Sequence, residues 1–397
     1  MKNQKLLSIK NLHVKFSKEG KLLHVIRGVN LDIYANETVA IIGESGCGKT
    51  VFSKTIGGIL EEGGVITDGE IVNDKNENLA DLYNSATASH VKRKILNGLK
   101  KQLKTSSEEE KKNLQSDIDY LTKSFKAYKT RLANKLLHKV RGKEFSYIFQ
   151  DPARALNPLL TIGSQIVETI LLHSKVSYRE AKERALELLT KVGIADPQAA
   201  FKALPSNYSG GMRQRIVIAI AISTNPKVLI ADEPTTALDV TIQKQILDLL
   251  AELKKELNLT VVFISHDLSV IANIADRIFV MYAGKFVEYG EKKEIFFEPK
   301  HPYTWALLSS MPQFSSRDEK LFSLSGTPPQ LERKIVGDPF APRNEYALEI
   351  DYLYEPPLFE ISPTHYVASW LYDERNKQKV FPEQLKKIIE TLKTVIK

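Results

Sequence analysis

Residues 43–50 read GESGCGKT and match G-x-x-x-x-G-K-[ST]. A glycine-rich turn that runs into a helix bares backbone N–H groups, and a helix N-terminus favours negative charge, so this spacing is suited to holding phosphates. Gly43, Glu44, Ser45, Gly46, Cys47, Gly48, Lys49, Thr50 and Val51 are the candidate cradle. Lys49 can reach the β and γ phosphates of a nucleotide, and the Thr50 hydroxyl can hold Mg2+. The stretch lies between a short apolar run, TVAII, and a helical stretch, which is the context the motif needs. VLIADE, residues 228–233, supplies a second half. Four apolar residues bury a strand, Asp232 emerges at its end as a Mg2+ ligand, and Glu233 follows as a general base for water. His266 ends TVVFISH and can contact a γ-phosphate or orient water, and Gln150 ends SYIFQ. Taken singly, a strand-end histidine or glutamine is ordinary polar structure. Beside the acidic pair both gain weight.

A further stretch, YSGGMRQR at 208–215, precedes the apolar run IVIAIAI. Two adjacent glycines cost conformational entropy at the start of a helix, so something must require bare backbone at Gly210 and Gly211.

The elements that must position these residues are short buried strands separated by helical stretches such as 177–192 and 241–257. That pattern predicts a mostly parallel sheet covered on both faces, with polar strand ends lining the ligand crevice. RIFVMYAGKFVEYG reads as a closing hairpin that turns at Ala283-Gly284, and LLSIKNLHVKF as an early strand. Residues 86–138 interrupt the scheme. Leu114, Ile118, Leu121, Phe125, Tyr128, Leu132 and Leu136 form one helical seam, and Ile95, Leu99 and Leu103 a shorter one. Ser107 and Glu110 fit a capping box between them, so two antiparallel helices are expected. Beyond about 290 prolines and aromatics become frequent, which marks a separate C-terminal extension.

The chain has 397 residues and a formal net charge of +8. Between Val91 and Val140 there are 14 Lys/Arg and 5 Asp/Glu, so the insert alone carries +9 and the rest about −1. The basicity therefore belongs to the insert and does not characterise the whole chain. The insert reads first as a solvated hairpin, with anionic lipid or a partner chain as alternatives. No run approaches the 18 apolar residues of a membrane span, and the N-terminal stretch has no apolar core of signal-peptide length. One cysteine, Cys47, excludes an intrachain disulfide and any all-cysteine metal centre. Its place at a helix N-terminus leads to the expectation of a reactive thiol.

In chain order, Phe16, GESGCGKT, FQDP, YSGGMRQR, VLIADEP, TTALD and ISHD resemble the ATP-binding subunits of ABC transporters, over about 1–72 and 140–290. Ser209 stands 23 residues ahead of Asp232, as the family's signature motif does. The resemblance implies an α/β P-loop nucleotide-binding domain with a RecA-like core, an antiparallel β subdomain and a helical subdomain. It divides the chain into 1–290, with the helical-hairpin insert at about 86–138 and the helical signature subdomain at about 151–225, and an extension at 291–397. It also implies that Phe16 stacks on adenine and that Gln150 senses Mg2+ and couples to membrane subunits. Glu233 would be the catalytic base, His266 the switch histidine and Asp239 a contact across a dimer. Ser209, Gly210, Gly211 and Met212 would address the ATP bound by a partner.

IFQDPARALNP, HPYTWALLSSMP and LSGTPP are similar to the D-type ATPases of oligopeptide and dipeptide importers, and Met212 fits that half where the F-type half usually has glutamine. The partners implied are an F-type ATP-binding subunit, two membrane permeases and an extracellular solute-binding protein, with the chain on the cytoplasmic face of the membrane and no nucleic acid. The alternative is a non-transport ABC ATPase of the DNA-repair or translation type that binds nucleic acid through the insert. Many D-type relatives hold a [4Fe–4S] cluster on four cysteines of the extension. Here Asp338, Asn344, Asp351 and Ser369 stand in those places, so no cluster is expected, and the acids read as solvated surface. ATP and Mg2+ remain the implied ligands. The extension must then be held by its apolar and aromatic residues.

Overall fold

The computed structural model describes residues 4–18, 21–236, 238–311, 326–329, 331, 335–377 and 380–395. Ala237 of TTALD, Pro312, and Leu324 and Ser325 of LSGTPP lie outside the described residues.

Two sheets organise the molecule. β1 (Lys5–Lys18), β2 (Lys21–Tyr34) and β4 (Gly64–Asn73) form an antiparallel sheet in the order β2-β1-β4. The larger sheet contains β3 (Thr38–Ile42), β5 (Phe145–Ile148), β6 (Val228–Asp232), β7 (Thr260–Ser265), β8 (Arg277–Tyr282) and β9 (Lys285–Glu291). Two short strands of the extension, β10 (Phe359–Glu360) and β11 (Tyr366–Val367), complete it in the order β10-β11-β9-β8-β3-β7-β6-β5. β5, β6, β7, β3 and β8 run parallel, and β9 returns antiparallel to β8. The hairpin turns where predicted: Ala283 and Gly284 both take positive φ (45° and 79°), the twist that matches a two-residue hairpin. Alternation explains why these strands read as unbroken apolar runs. Ala40 and Ile42 of β3 join one core while Val39 and Ile41 join the other, so both faces are buried.

Helix α1 (Lys49–Ile56) follows β3 directly. After β4 come α2 (Leu79–Ala86), α3 (Ser89–Leu103), α4 (Glu108–Ser124) and α5 (Thr130–Val140). The single long seam expected from Leu114 to Leu136 is broken. Ile118, Leu121 and Phe125 pack with Val91, Ile95 and Leu99 in one small core, whereas Tyr128 and Leu136 pack toward the β1-β2-β4 side and Leu132 is exposed. Hydrogen bonding at the end of α4 accounts for the break. The Ser85 hydroxyl donates to Ser124 O (2.7 Å) and accepts from Tyr128 N (3.1 Å), and Lys92 Nζ donates to Phe125 O (3.3 Å). These contacts satisfy carbonyls that a continuing helix would have used. Ser107 does stand at the N-cap of α4, but its side chain makes no capping bond there, contrary to the expected box.

Beyond β5 lie α6 (Pro152–Ala155), α7 (Ile162–His173), α8 (Tyr178–Lys191), α9 (Pro197–Lys202) and α10 (Gly210–Ile222), then α11 (Val240–Leu257) after β6 and α12 (Leu268–Ile274) after β7. The extension adds α13 (Lys292–Phe297), α14 (Pro302–Ser309) and α15 (Glu383–Val395).

The extension is fastened by more than the expected apolar and aromatic contacts. Tyr282, Tyr303 and Phe340 form one aromatic cluster, and Trp305 packs on Tyr346 and Phe381. β11 pairs with β9, and buried His365 meets buried Glu288 at 2.7 Å. The four positions where the family resemblance leads one to look for cluster cysteines carry no thiolate here, and their side chains are engaged elsewhere. Asp338 accepts from Phe340 N (2.9 Å), Asn344 from Tyr346 N (2.9 Å), Asp351 from Leu348 N (2.6 Å) and Ser369 from Leu371 N (3.4 Å). This donor chemistry does not suit an iron–sulfur cluster. Asp338 and Asp351 are buried, which corrects their reading as solvated acids.

Burial pushes the Asp338 carboxyl up to about 7, with Asp351 adding to the rise and Phe340 N–H, Arg27 and Lys285 opposing it. A carboxyl raised in the folded state gives stability below its unfolded value, near 4, and loses it as pH rises through 7. Asp338→Asn keeps the acceptor for Phe340 N–H. Its stability advantage over the natural chain is expected to grow by about 2–3 kcal/mol between pH 5 and pH 8. Urea unfolding followed by tryptophan fluorescence checks this, because both tryptophans, Trp305 and Trp370, lie in the extension. A pH-independent difference would contradict it.

Candidate active site

The loop after β3 is shaped by close approaches. A Cβ at Gly43 would lie 2.2 Å from Met281 O, and Gly43, Gly46 and Gly48 all take positive φ. Only glycine meets both demands at Gly43. Lys49 is buried, and its Nζ donates to Gly43 O (2.7 Å) and Glu44 O (3.0 Å), so the cation is folded back onto its own loop. Ser45, Gly46 and Thr50 are exposed around it, and Val51 is half-buried. Cys47 is only 4% exposed, and burial pushes its thiol up despite nearby Lys49. The expectation of a reactive thiolate is therefore corrected: desolvation outweighs the helix N-terminus.

Asp232 ends β6 and meets the start of α1, where Thr50 Oγ1 donates to its Oδ1 (3.2 Å). Tyr147 OH donates to Oδ2 (2.7 Å) and lies 2.8 Å from Ser53 Oγ. Burial pushes the Asp232 carboxyl up, the hydrogen bonds from Tyr147 and Thr50 pull it down, and neighbouring Glu233 raises it further.

Glu233 has φ +47°, an unusual conformation for a residue with a side chain, and its N–H donates to Ile264 O (3.0 Å). That left-handed turn separates the environments of the two adjacent acids. While Asp232 meets Thr50 and Tyr147, Glu233 Oε2 accepts from Gln150 Nε2 (3.0 Å) and Thr236 Oγ1 (3.1 Å). His266 Nδ1 lies 3.3 Å from Glu233 Oε1. Gln150, Asp232, Glu233 and His266 stand at the ends of the parallel strands β5, β6 and β7, and the loop after β3 opens at the same end of that sheet. Sequence reasoning missed Tyr147, Ser53 and Thr236. Tyr147 carries a hydroxyl inside the short strand SYI, and a tyrosine hydroxyl on a half-buried strand needs a polar partner, which is the signal that could have pointed to it.

The remaining candidates lie elsewhere. Phe16 is half-buried near the end of β1, paired with Gly64 and packed so closely that a Cβ at Gly64 would meet its ring at 2.8 Å. Asp239 caps α11 by accepting from Ile242 N (3.0 Å). Ser209 caps α10, accepting from Met212 N (3.4 Å). The two glycines that follow have different reasons. A Cβ at Gly211 would lie 2.5 Å from Ile242 Cγ2, so packing against α11 requires that glycine. A Cβ at Gly210 would find nothing closer than Leu238 Cδ2 at 3.8 Å, so no crowding within the chain demands it. α10 itself packs against α6, α7, α8, α11 and β5.

Comparison with known proteins agrees with this architecture. Residues 26–139 and 121–236 match the family described as "ABC transporter", and residues 287–350 match "Oligopeptide/dipeptide transporter, C-terminal region". The chain is similar to a dipeptide transport ATP-binding protein of Lactococcus lactis, 44% identical over 94% of this chain and 93% of that one. It is equally similar to an oligopeptide transport ATP-binding protein of Bacillus subtilis, 44% identical over 96% of this chain and 93% of that one. Among solved structures, an ATP-binding cassette in a dimeric post-hydrolysis state bound to ADP and Pi superposes with a TM-score of 0.52 at 25% identity, over 72% of this chain and 99% of that one.

Proposed function

The chain belongs to the ABC transporter family, among the ATP-binding subunits of its oligopeptide and dipeptide importers, and on that footing we propose that it hydrolyses MgATP at a site completed by a second ATP-binding subunit, so driving peptide import through membrane permeases. The observation that carries this reading is the convergence of Gln150, Thr236 and His266 on the Glu233 carboxylate, one residue beyond the Asp232–Thr50 pair.

ATP binds with its phosphates on residues 43–51, where Lys49 exchanges its bonds to Gly43 O and Glu44 O for bonds to phosphate oxygens. Thr50, Asp232 and Gln150 would hold Mg2+. The fit is chemical: Thr50 and Asp232 offer oxygen ligands at one place, and a carboxylate that burial drives toward its neutral form is one a cation holds charged. That ion neutralises charge on the phosphates when bound. Glu233 takes the proton of the attacking water as the bond to the γ-phosphorus forms and the β–γ bridge breaks. His266 and Gln150 hold the carboxylate in place. Phe16 stacks on the base, and Asp239 meets the opposite subunit.

Ser209, Gly210, Gly211 and Met212 serve ATP bound by the other subunit. The open space at Gly210 supports this, because an exposed helix start with no internal reason for glycine suits close approach by an outside phosphate. We assign the other ATP-binding subunit to the F-type. Among the described residues no helix is long and apolar enough to cross a membrane, so membrane attachment would run through permeases, with an extracellular solute-binding protein delivering peptide. Phe149, next to Gln150 in the chain, and Leu159 and Leu160, nine and ten positions further on, leave apolar surface exposed (39%, 85% and 40%), which supports docking of a permease on the segment that follows β5. The domain division at 290 follows the same reading, and no nucleic-acid role is assigned to the insert.

ATPase activity should be low for this chain alone and rise at least tenfold with the F-type subunit present. Full activity in a demonstrated monomer would refute the composite site.

A further inference from the structure

The phosphate loop makes hydrogen bonds to the C-terminal extension. Arg343 Nη1 donates to Glu44 Oε2 (2.6 Å) and Nη2 to Glu44 Oε1 (2.9 Å), a bidentate pair with the second residue of GESGCGKT. Nη1 also donates to the Tyr282 hydroxyl (3.1 Å), and the Arg343 side chain is 4% exposed. The Glu44 backbone N–H donates to Tyr303 OH (2.7 Å), and Tyr303 is fully buried beside Tyr282 and Phe340. Thus both the backbone and the side chain of one loop residue are gripped by groups 259 and 299 positions away in sequence. The same extension reaches two neighbouring strands, where Glu355 pairs with Arg27 of β2 and Lys285 of β9.

We infer that Arg343 and Tyr303 are positioning residues that make the extension a clamp on the nucleotide loop, so that nucleotide affinity depends on how the extension is seated. The inference rests on the phosphate-site reading given above. Two physical effects support it. First, a loop that receives a polyanion carries its own carboxylate at Glu44, and Arg343 neutralises it. Without that guanidinium the unpaired charge would oppose the incoming phosphates. Second, a loop already held at Glu44 loses less conformational freedom when phosphates bind. Arginine rather than lysine is required because the carboxylate is met at both oxygens from a fixed fork.

The test measures binding of a fluorescent ATP analogue with Mg2+ to the full chain. Arg343→Ala is expected to weaken binding about tenfold. Adding Glu44→Gln to Arg343→Ala should recover a substantial part of the loss, because it removes the stranded charge. A general structural defect would not be relieved this way. Tyr303→Phe, which deletes one hydroxyl from an intact aromatic core, should weaken binding about threefold and guards against an arginine variant that fails to fold. With the F-type subunit present and ATP saturating, turnover by Arg343→Ala and by Tyr303→Phe should stay within about threefold, since the clamp acts on binding. If the natural chain binds the analogue and both Arg343→Ala and Tyr303→Phe bind equally well, the clamp is refuted while the phosphate site stands. If the natural chain binds no analogue, the phosphate-site reading falls and the clamp with it.

Discussion

Replacing Glu233 with glutamine is expected to lower ATP turnover by about 10³-fold while ATP still binds. Glutamine keeps the length and one carbonyl oxygen of the side chain, so Gln150 Nε2 and Thr236 Oγ1 retain an acceptor. The amide cannot take a proton from water. Because the groups that would hold phosphate, at 43–51, are a separate set, affinity for MgATP should change little. Paired with the proposed F-type subunit, the variant should accumulate as a closed, ATP-loaded dimer. Single-turnover hydrolysis and size-exclusion chromatography together check both halves of the expectation. Unchanged turnover would remove Glu233 from the role of base, and loss of ATP binding would mean that its carboxylate organises the loop instead.

Lys49→Ala should give the opposite pattern, with MgATP binding weakened by about 10²-fold. Lys49 is buried, and its Nζ donates to two loop carbonyls, those of Gly43 and Glu44, with a longer contact to Cys47 Sγ (3.9 Å). Alanine removes the only loop side chain that carries positive charge to the phosphates and leaves two carbonyls without their donor. Equilibrium binding of a fluorescent ATP analogue measures the loss directly. An affinity within threefold of the natural chain would show that the backbone N–H groups alone hold the phosphates. Together the two variants separate binding from chemistry.

Much of this was legible in the residues. The motifs at 43–50 and 228–233 are local, and each places its chemistry at the end of a short buried strand, where a parallel sheet must present it. Strand existence, the hairpin turn at Ala283-Gly284 and the helices near 178–191 and 240–257 follow from periodicity and turn chemistry, which act over a few residues. The insert shows where periodicity misleads. Spacing through Tyr128 and Leu136 continues a helical seam, yet Ser85 and Lys92, more than 30 residues away, capture the backbone at the end of α4 and divert the chain. Composition alone places Asp338 and Asp351 at a solvated surface, as acids usually are, but backbone N–H groups of Phe340 and Leu348 donate to them inside the extension.

By itself the sequence determined the glycine-rich loop at 43–50, the adjacent acids Asp232 and Glu233 and the sheet that carries them, because those features depend on contiguous residues and strand alternation. It also determined that no thiolate cluster could form, since the only cysteine is Cys47. Tertiary structure alone decided that Asp232 and Glu233, adjacent in the chain, face different partners, because that follows from one left-handed backbone angle. It alone assigned Gly211 to packing against Ile242 and left Gly210 open. And it alone brought Arg343 and Tyr303 onto Glu44, a contact between segments that no periodicity connects and that only the folded arrangement of the extension creates.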